Sequence, residues 1–172
     1  MQYMALTKLL ILLSFANGSP VIAKLVLGET YAMPIDGNVR FFDGRPLLGP
    51  SKTIRGVLVS LLVTAFAAPL IGLQFKIGLL VAATAMAGDL LSSFLKRRFD
   101  LAPSTKATGL DQIPEALFPL LACRSALSLT AIDIVTGCII FFIGAVLFSR
   151  LFFPAGVARP PLLSFRNTGD AM

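Results

Sequence analysis

The residues able to do chemistry are few and fall in three short stretches. GDLLSSFLKRRFD (88–100) places Asp89 near the end of an apolar run and Lys96, Arg97 and Arg98 directly after it. On a helix, Asp89, Ser92 or Ser93, and Lys96 stand at i, i+3 or i+4, and i+7. One face then presents an acceptor, a hydroxyl and an ammonium in succession. TGLDQIPE (108–115) sets Asp111 before another apolar run, and IDGNVRFFDGRPLLGPSKTIRG (35–56) presents Lys52, Thr53 and Arg55 in a loop shaped by Gly and Pro. Histidine is absent, which removes an imidazole base and every His-ligated transition metal. A metal would be held by carboxylate and phosphate oxygens, and Asp89 with Asp111 is a donor pair suited to Mg²⁺.

Each stretch also has a plainer account. Asp89 could be neutralised by Lys96 at the membrane surface, although an acid at membrane depth is costly enough to favour a function. Asp111 and Glu115, with Pro114 in the first turn, would complement a helix start. GRPLLGPSKT resembles a P-loop but fails it, because Pro50 and Ser51 separate Gly49 from Lys52 and no strand precedes it. The loop cations would otherwise only set orientation. Asp133 has a structural explanation, a capping box opened by Thr130.

The elements that must position these residues are apolar. Of 172 residues 56% are hydrophobic and 14% charged, and the mean hydropathy is +0.83. That balance cannot cover a soluble surface and indicates an all-α polytopic membrane protein. About five transmembrane helices are expected, at 4–27, 54–73, 77–95, 113–129 and 132–153, since each span needs about 20 residues. The fourth contains Pro114, Pro119 and Arg124. In the first, ANGSPV (16–21) interrupts the run with Asn17, Gly18 and Pro20, as a kink or as the wall of a substrate cleft. AATAMAG (82–88) is rich in small residues and would let helices approach closely. Two Asp-Gly steps in the first long loop allow a small hairpin.

The net charge of +6 belongs to loops rather than to a nucleic-acid surface, for no aromatic platform or basic helix accompanies it. The long loops carry Arg40, Arg45, Lys52, Arg55, Lys96, Arg97, Arg98 and Lys106, and the tail carries Arg150, Arg159 and Arg166; the opposite side has Lys8, Lys76 and Arg124. The positive-inside bias puts both loops and the tail in the cytoplasm and the N-terminus outside. Residues 1–153 then form a membrane-embedded catalytic domain in the cell (inner) membrane, and 154–172 a disordered cytoplasmic tail. The N-terminal run lacks the basic stretch of a cleaved signal. Cys123 and Cys138 read as packed thiols.

Two charged loops on one membrane face, carboxylates for Mg²⁺ and phosphate-seeking cations point to transfer chemistry on a phosphorylated lipid. A lipid phosphate is already an anionic nucleophile, so attack on a nucleotide α-phosphate needs positioning and charge neutralisation, not a base. FFDGRPLLGPSKTIRG (41–56), GDLLSSFLKRRFD (88–100) and GLDQ (109–112), with ANGSPV in the first span, resemble the CDP-archaeol synthase family over about residues 10–150. SFLKR followed by GLD is also similar to the signature of bacterial CDP-diacylglycerol synthases. That signature continues with an Arg and a further Asp where this chain has Gln112 and Ile113, which favours the archaeol-type branch. The resemblance implies a Mg²⁺-dependent CTP:lipid-phosphate cytidylyltransferase that releases pyrophosphate. It implies Asp89 and Asp111 as metal ligands, Lys52, Arg55, Lys96 and Arg97 as triphosphate contacts, and Ser93 as a polar contact in the cleft; Thr53 and Asn17 join the substrate-binding set and Lys96 the catalytic one. The rivals are a phosphatidate cytidylyltransferase making CDP-diacylglycerol, a small transporter using Asp89 and the first helix as an ion path, and a non-catalytic subunit whose basic loops touch anionic headgroups.

Overall fold

A computed structural model describes residues 2–99 and 111–152, with side chains as far as Phe148. The tail 154–172 and most of the second loop, with Lys106 and Gly109, lie outside the described residues. Five helices are described: α1 (Tyr3–Leu27), α2 (Ile54–Leu70), α3 (Phe75–Arg98), α4 (Gln112–Ala122) and α5 (Ala131–Phe152). Among the described residues β structure is limited to isolated bridges, so the all-helical membrane architecture is borne out.

Three helices, α1, α3 and α5, are long and apolar enough to cross a membrane; α2 is a shorter apolar helix. The expected fourth span is shorter than anticipated. α4 has 11 residues, about 16 Å of helix, against a hydrocarbon core of about 30 Å. Beyond Ala122 the chain turns, with Leu129 N–H returning to the Arg124 carbonyl at 2.9 Å and Ser128 at φ +52°.

α1 is one continuous helix through ANGSPV. Pro20 has no N–H to give Ala16, four residues earlier. The Ser60 hydroxyl of α2 donates to that carbonyl at 2.8 Å, so a cross-helix bond replaces the missing one and the helix need not break.

The core is built from Leu6, Leu9, Leu12 and Leu13 of α1, Ala67 and Ala68 of α2, Val81 and Ala85 of α3, and Ala116 and Leu120 of α4. Small residues set the helix spacing, as the AATAMAG stretch implied. A Cβ at Gly78 would stand 2.6 Å from the Thr64 carbonyl oxygen, and one at Gly88 would stand 2.8 Å from Glu115 N. Backbone therefore meets backbone at both crossings.

The bundle has two distinct ends. At one, Asp133 Oδ2 accepts from Thr130 N–H at 2.9 Å, the Thr130 hydroxyl accepts from Asp133 N–H at 3.2 Å, and Asp133 Oδ1 takes the Gln2 N–H at 3.1 Å. This is the expected capping box, and it also ties down the start of α1. Lys8 lies at the same end, beside Gly72 in the α2–α3 turn. Loop 28–53, the end of α3 and the start of α4 share the other end, as the cation pattern required.

Candidate active site at the charged end of the bundle

The first long loop is a built structure. Asp36 accepts from Asn38 N at 3.1 Å, Leu48 N at 2.9 Å and Gly49 N at 3.0 Å. Burial works against its charge, but these three amides outweigh it and hold the carboxyl below its usual range. The second Asp-Gly step closes the expected hairpin: Phe41 N–H donates to Arg45 O at 2.8 Å and Leu47 N–H to Val39 O at 3.0 Å, with Gly44 at φ +75°. Arg98, on the last turn of α3, clamps this hairpin. It pairs with Asp43 at 2.7 Å, donates to Pro46 O at 2.8 Å and stacks over the Phe41 and Phe94 rings at 4.7 and 5.0 Å. Arg45 returns a bond to Arg98 O at 2.6 Å.

That clamp delivers Lys52 to α3. Its Nζ lies 2.5 Å from both carboxylate oxygens of Asp89. Lys96 Nζ lies 2.5 Å from Asp111 Oδ2. The pairing of Asp89 with Lys96 that the sequence allowed does not form; seven residues of helix separate them by about 10 Å. The two pairs instead run between elements, one from the first loop to α3 and one from α3 to the start of α4. All four side chains are largely buried, with 11 to 22% of their surface exposed, so each charge has exchanged water for a partner.

Beside Asp89 a cavity of about 320 Å³ opens between α1, α2 and α3. Five of the residues singled out from sequence line it: Asn17, Lys52, Thr53, Arg55 and Asp89. Thr53 caps α2 by accepting from Gly56 N at 3.1 Å. Arg55 donates to the carbonyls of Thr30 and Gly28, which anchors the end of α1. Asn17 Nδ2 is buried without a partner among the described residues. Ser93, Lys96, Arg97 and Asp111 stand beyond these walls; Ser93, Lys96 and Arg97 are buried toward the end of α3, and Arg97 packs under Gly49.

One member of the site was not singled out from sequence. Glu115 lines the cavity, and its carboxyl faces that of Asp89. The signal was available: Asp111 and Glu115 are four residues apart on one helical turn, with Asp111 already helical at φ −82°, ψ −52°. What brings them to Asp89 is the bare backbone at Gly88, which α4 touches.

As a donor set this end of the bundle suits a hard divalent cation. All its anionic donors are oxygens, and the Lys52 ammonium already sits astride both oxygens of Asp89, where a cation belongs. Among the described residues no group of three or more His, Cys, Asp and Glu is gathered for a metal. Mg²⁺ is commonly held by one or two carboxylates together with substrate phosphates and water, so two acids with a phosphate ligand suffice.

The sequence profile described as CarS-like, CDP-archaeol synthase, matches residues 3–152. The chain belongs to that family. Among its CDP-archaeol synthase relatives, that of Pyrococcus furiosus is 43% identical over 57% of this chain and 61% of its own length. That of Hyperthermus butylicus is 38% identical over 64% of this chain and 67% of its own. That of Sulfurisphaera tokodaii is 32% identical over 85% of this chain and 88% of its own. A solved structure of an intramembrane enzyme for archaeal membrane lipid biosynthesis superposes with a TM-score of 0.67 at 28% identity, covering 81% of this chain and 91% of that one. The resemblance read from the three motifs is borne out, and so is the multi-pass membrane architecture of this CDP-archaeol synthase family member.

Proposed function

We propose that this protein transfers the cytidylyl group of CTP to an archaeol-type lipid phosphate, forming a CDP-activated lipid and pyrophosphate. The observation that carries the reading is the meeting, at one end of a membrane bundle, of Asp89, Asp111, Lys52 and Lys96 in two cross-element pairs beside a cavity. A phosphate oxygen of the lipid attacks the α-phosphorus of CTP, the bond to the β-phosphate oxygen breaks, and pyrophosphate leaves with the electron pair. No proton need move, which agrees with a site lacking histidine.

The chain's own residues bind and neutralise. Lys52, Lys96 and Arg97 offset phosphate charge in a setting shielded from water, where fixed charges act more strongly than in solution. Asp89 and Asp111 would hold Mg²⁺, which when bound supplies charge neutralisation at the phosphates. Thr53 and Arg55 hold the cavity wall in place, and Ser93 gives α3 a hydroxyl below the triphosphate. Both charged loops face the cytoplasm, where CTP is found.

The test is CTP consumption and pyrophosphate release by purified protein in detergent, with and without Mg²⁺, against dialkylglycerol phosphate and phosphatidic acid. Turnover with the dialkyl substrate supports the reading. Turnover with phosphatidic acid alone would move the protein to the CDP-diacylglycerol reaction, and no turnover with any lipid phosphate would overturn the assignment.

A further inference from the structure

We propose that the hairpin over residues 39–47 is a membrane-interface anchor. Phe42 at its tip seats among the lipids of the leaflet at the charged end of the bundle, and Arg40 beside it meets anionic headgroup phosphates. This seating depends on the membrane architecture of the chain and not on the reaction at its site.

The lipid-facing stripe of α3 leads to this hairpin. Leu80, Ala83, Ala87 and Leu91 are exposed on a helix long and apolar enough to cross a membrane. They recur at steps of three or four, so they fall on one side of the helix. The next members of that series are Phe94 and Arg98, the two α3 residues that carry the hairpin. The Phe41 ring meets Phe94 edge-on at 5.5 Å, and the Arg98 guanidinium stacks on both rings. The hairpin therefore stands on the side of the bundle that faces lipid.

Its depth follows from the same contacts. Phe94 lies one turn, about 6 Å, before Arg98 along α3, within the membrane-crossing helix. Phe41 packs at that level, and Phe42 adjoins it with ring centroids 5.2 Å apart. Phe42 is thus carried sideways beside the last turn of α3, where a bilayer passes from hydrocarbon to headgroup. Among the described residues nothing covers its ring, which is fully exposed. A lone apolar side chain on a water-facing surface needs no explanation; this one extends a row that already faces lipid.

The charges around the tip fit the same partner. Asp43, the acid of the hairpin, is neutralised by Arg98 at 2.7 Å. Arg40 is exposed and donates to Gly44 O at 3.4 Å, with no carboxylate paired to it among the described residues. The tip so offers an uncompensated guanidinium beside an exposed ring. A guanidinium grips phosphate through several donors, and an anionic leaflet draws basic segments to its surface. A ring in the apolar boundary with a cation in the headgroup layer is how an interfacial segment holds a membrane. The same loop carries Lys52 onto Asp89, so lipid contact at its tip helps to hold that pair in place.

The chain has no tryptophan, so Phe42→Trp in the full-length protein supplies a sole reporter at the tip. Its emission is read in nanodiscs, which leave both membrane faces open to the medium. The emission should be blue-shifted from that of a water-exposed indole, quenched by lipids brominated on their chains, and little affected by aqueous iodide. Quenching by bromolipid should be stronger in discs containing phosphatidylglycerol than in phosphatidylcholine discs, and Arg40→Gln in the same background should remove the difference. In the otherwise native chain, Phe42→Asp should speed tryptic cleavage at Arg40 and Arg45 in nanodiscs about tenfold, as expected when a phenylalanine shielded from water no longer holds the loop down. A water-like emission quenched by iodide and not by bromolipid would overturn the seating and leave the tip to a protein partner. Cleavage of Phe42→Asp at the wild-type rate would overturn it as well, and equal quenching in both kinds of disc would overturn the role of Arg40.

Discussion

Gly88→Ala tests the close approach on which the site depends. An ideal Cβ at Gly88 would stand 2.5 Å from the Pro114 carbonyl carbon and 2.8 Å from Glu115 N. Both are backbone atoms in the first turn of α4, so no side-chain rotation relieves the clash. Restoring an ordinary carbon contact of about 3.5 Å requires α3 and α4 to part by about 1 Å. That overpacking should cost about 1–3 kcal/mol of stability. The separation also falls between Asp89 on α3 and Asp111 and Glu115 on α4, and a misplacement of about 1 Å in a catalytic site can lower turnover about 100-fold. The assay is CTP-dependent turnover beside thermal unfolding in the same detergent, with Gly144→Ala as control, since a Cβ at Gly144 meets nothing within 4 Å. Wild-type turnover in Gly88→Ala, with unchanged melting, would refute the claim that bare backbone at this crossing assembles the site.

Ser60→Ala should destabilise the bundle by about 1–3 kcal/mol, because it leaves the Ala16 carbonyl without the donor that replaces Pro20; a paired Pro20→Ala change, which restores an N–H to α1, should recover most of the loss in thermal unfolding. Asp36 has a folded-state pKa below its unfolded value, so its contribution is present above the ordinary carboxylate pKa and is lost as pH falls through the lowered one. Limited proteolysis of loop 28–53 should therefore accelerate only in that acid range, and Asp36→Asn should abolish the dependence. Asp89→Asn and Asp111→Asn should each lose most turnover, by about 3–4 kcal/mol in the barrier, and weaken Mn²⁺ binding read by electron paramagnetic resonance, while still folding at a lowered melting temperature, since each leaves the lysine of a buried pair without its anion. Neutralising Arg159 and Arg166 together should leave kinetics unchanged, and a kinetic effect there would bring the tail into the site.

The helical membrane class follows from composition, because apolar runs of this length leave the backbone no better way to satisfy its hydrogen bonds in lipid. The placing of both charged loops at one end follows from cation counts, and the Thr130–Asp133 cap is purely local. The three motifs carried the family. Tertiary structure alone decided which charge meets which. Asp89 pairs with Lys52 rather than Lys96 because a clamp through Arg98, Asp43 and two phenylalanine rings carries the first loop onto α3, through contacts between residues about 37 to 57 positions apart that no local pattern encodes. Hydropathy overran α4, since an apolar stretch does not reveal where the chain turns back at 123–128. ANGSPV could be read only as a kink or a cleft wall, because the donor that compensates for Pro20 comes from another helix. Glu115 read as a helix-start charge until Gly88 brought α4 against α3, because the absence of a side chain shows its consequence only where another backbone fills the space.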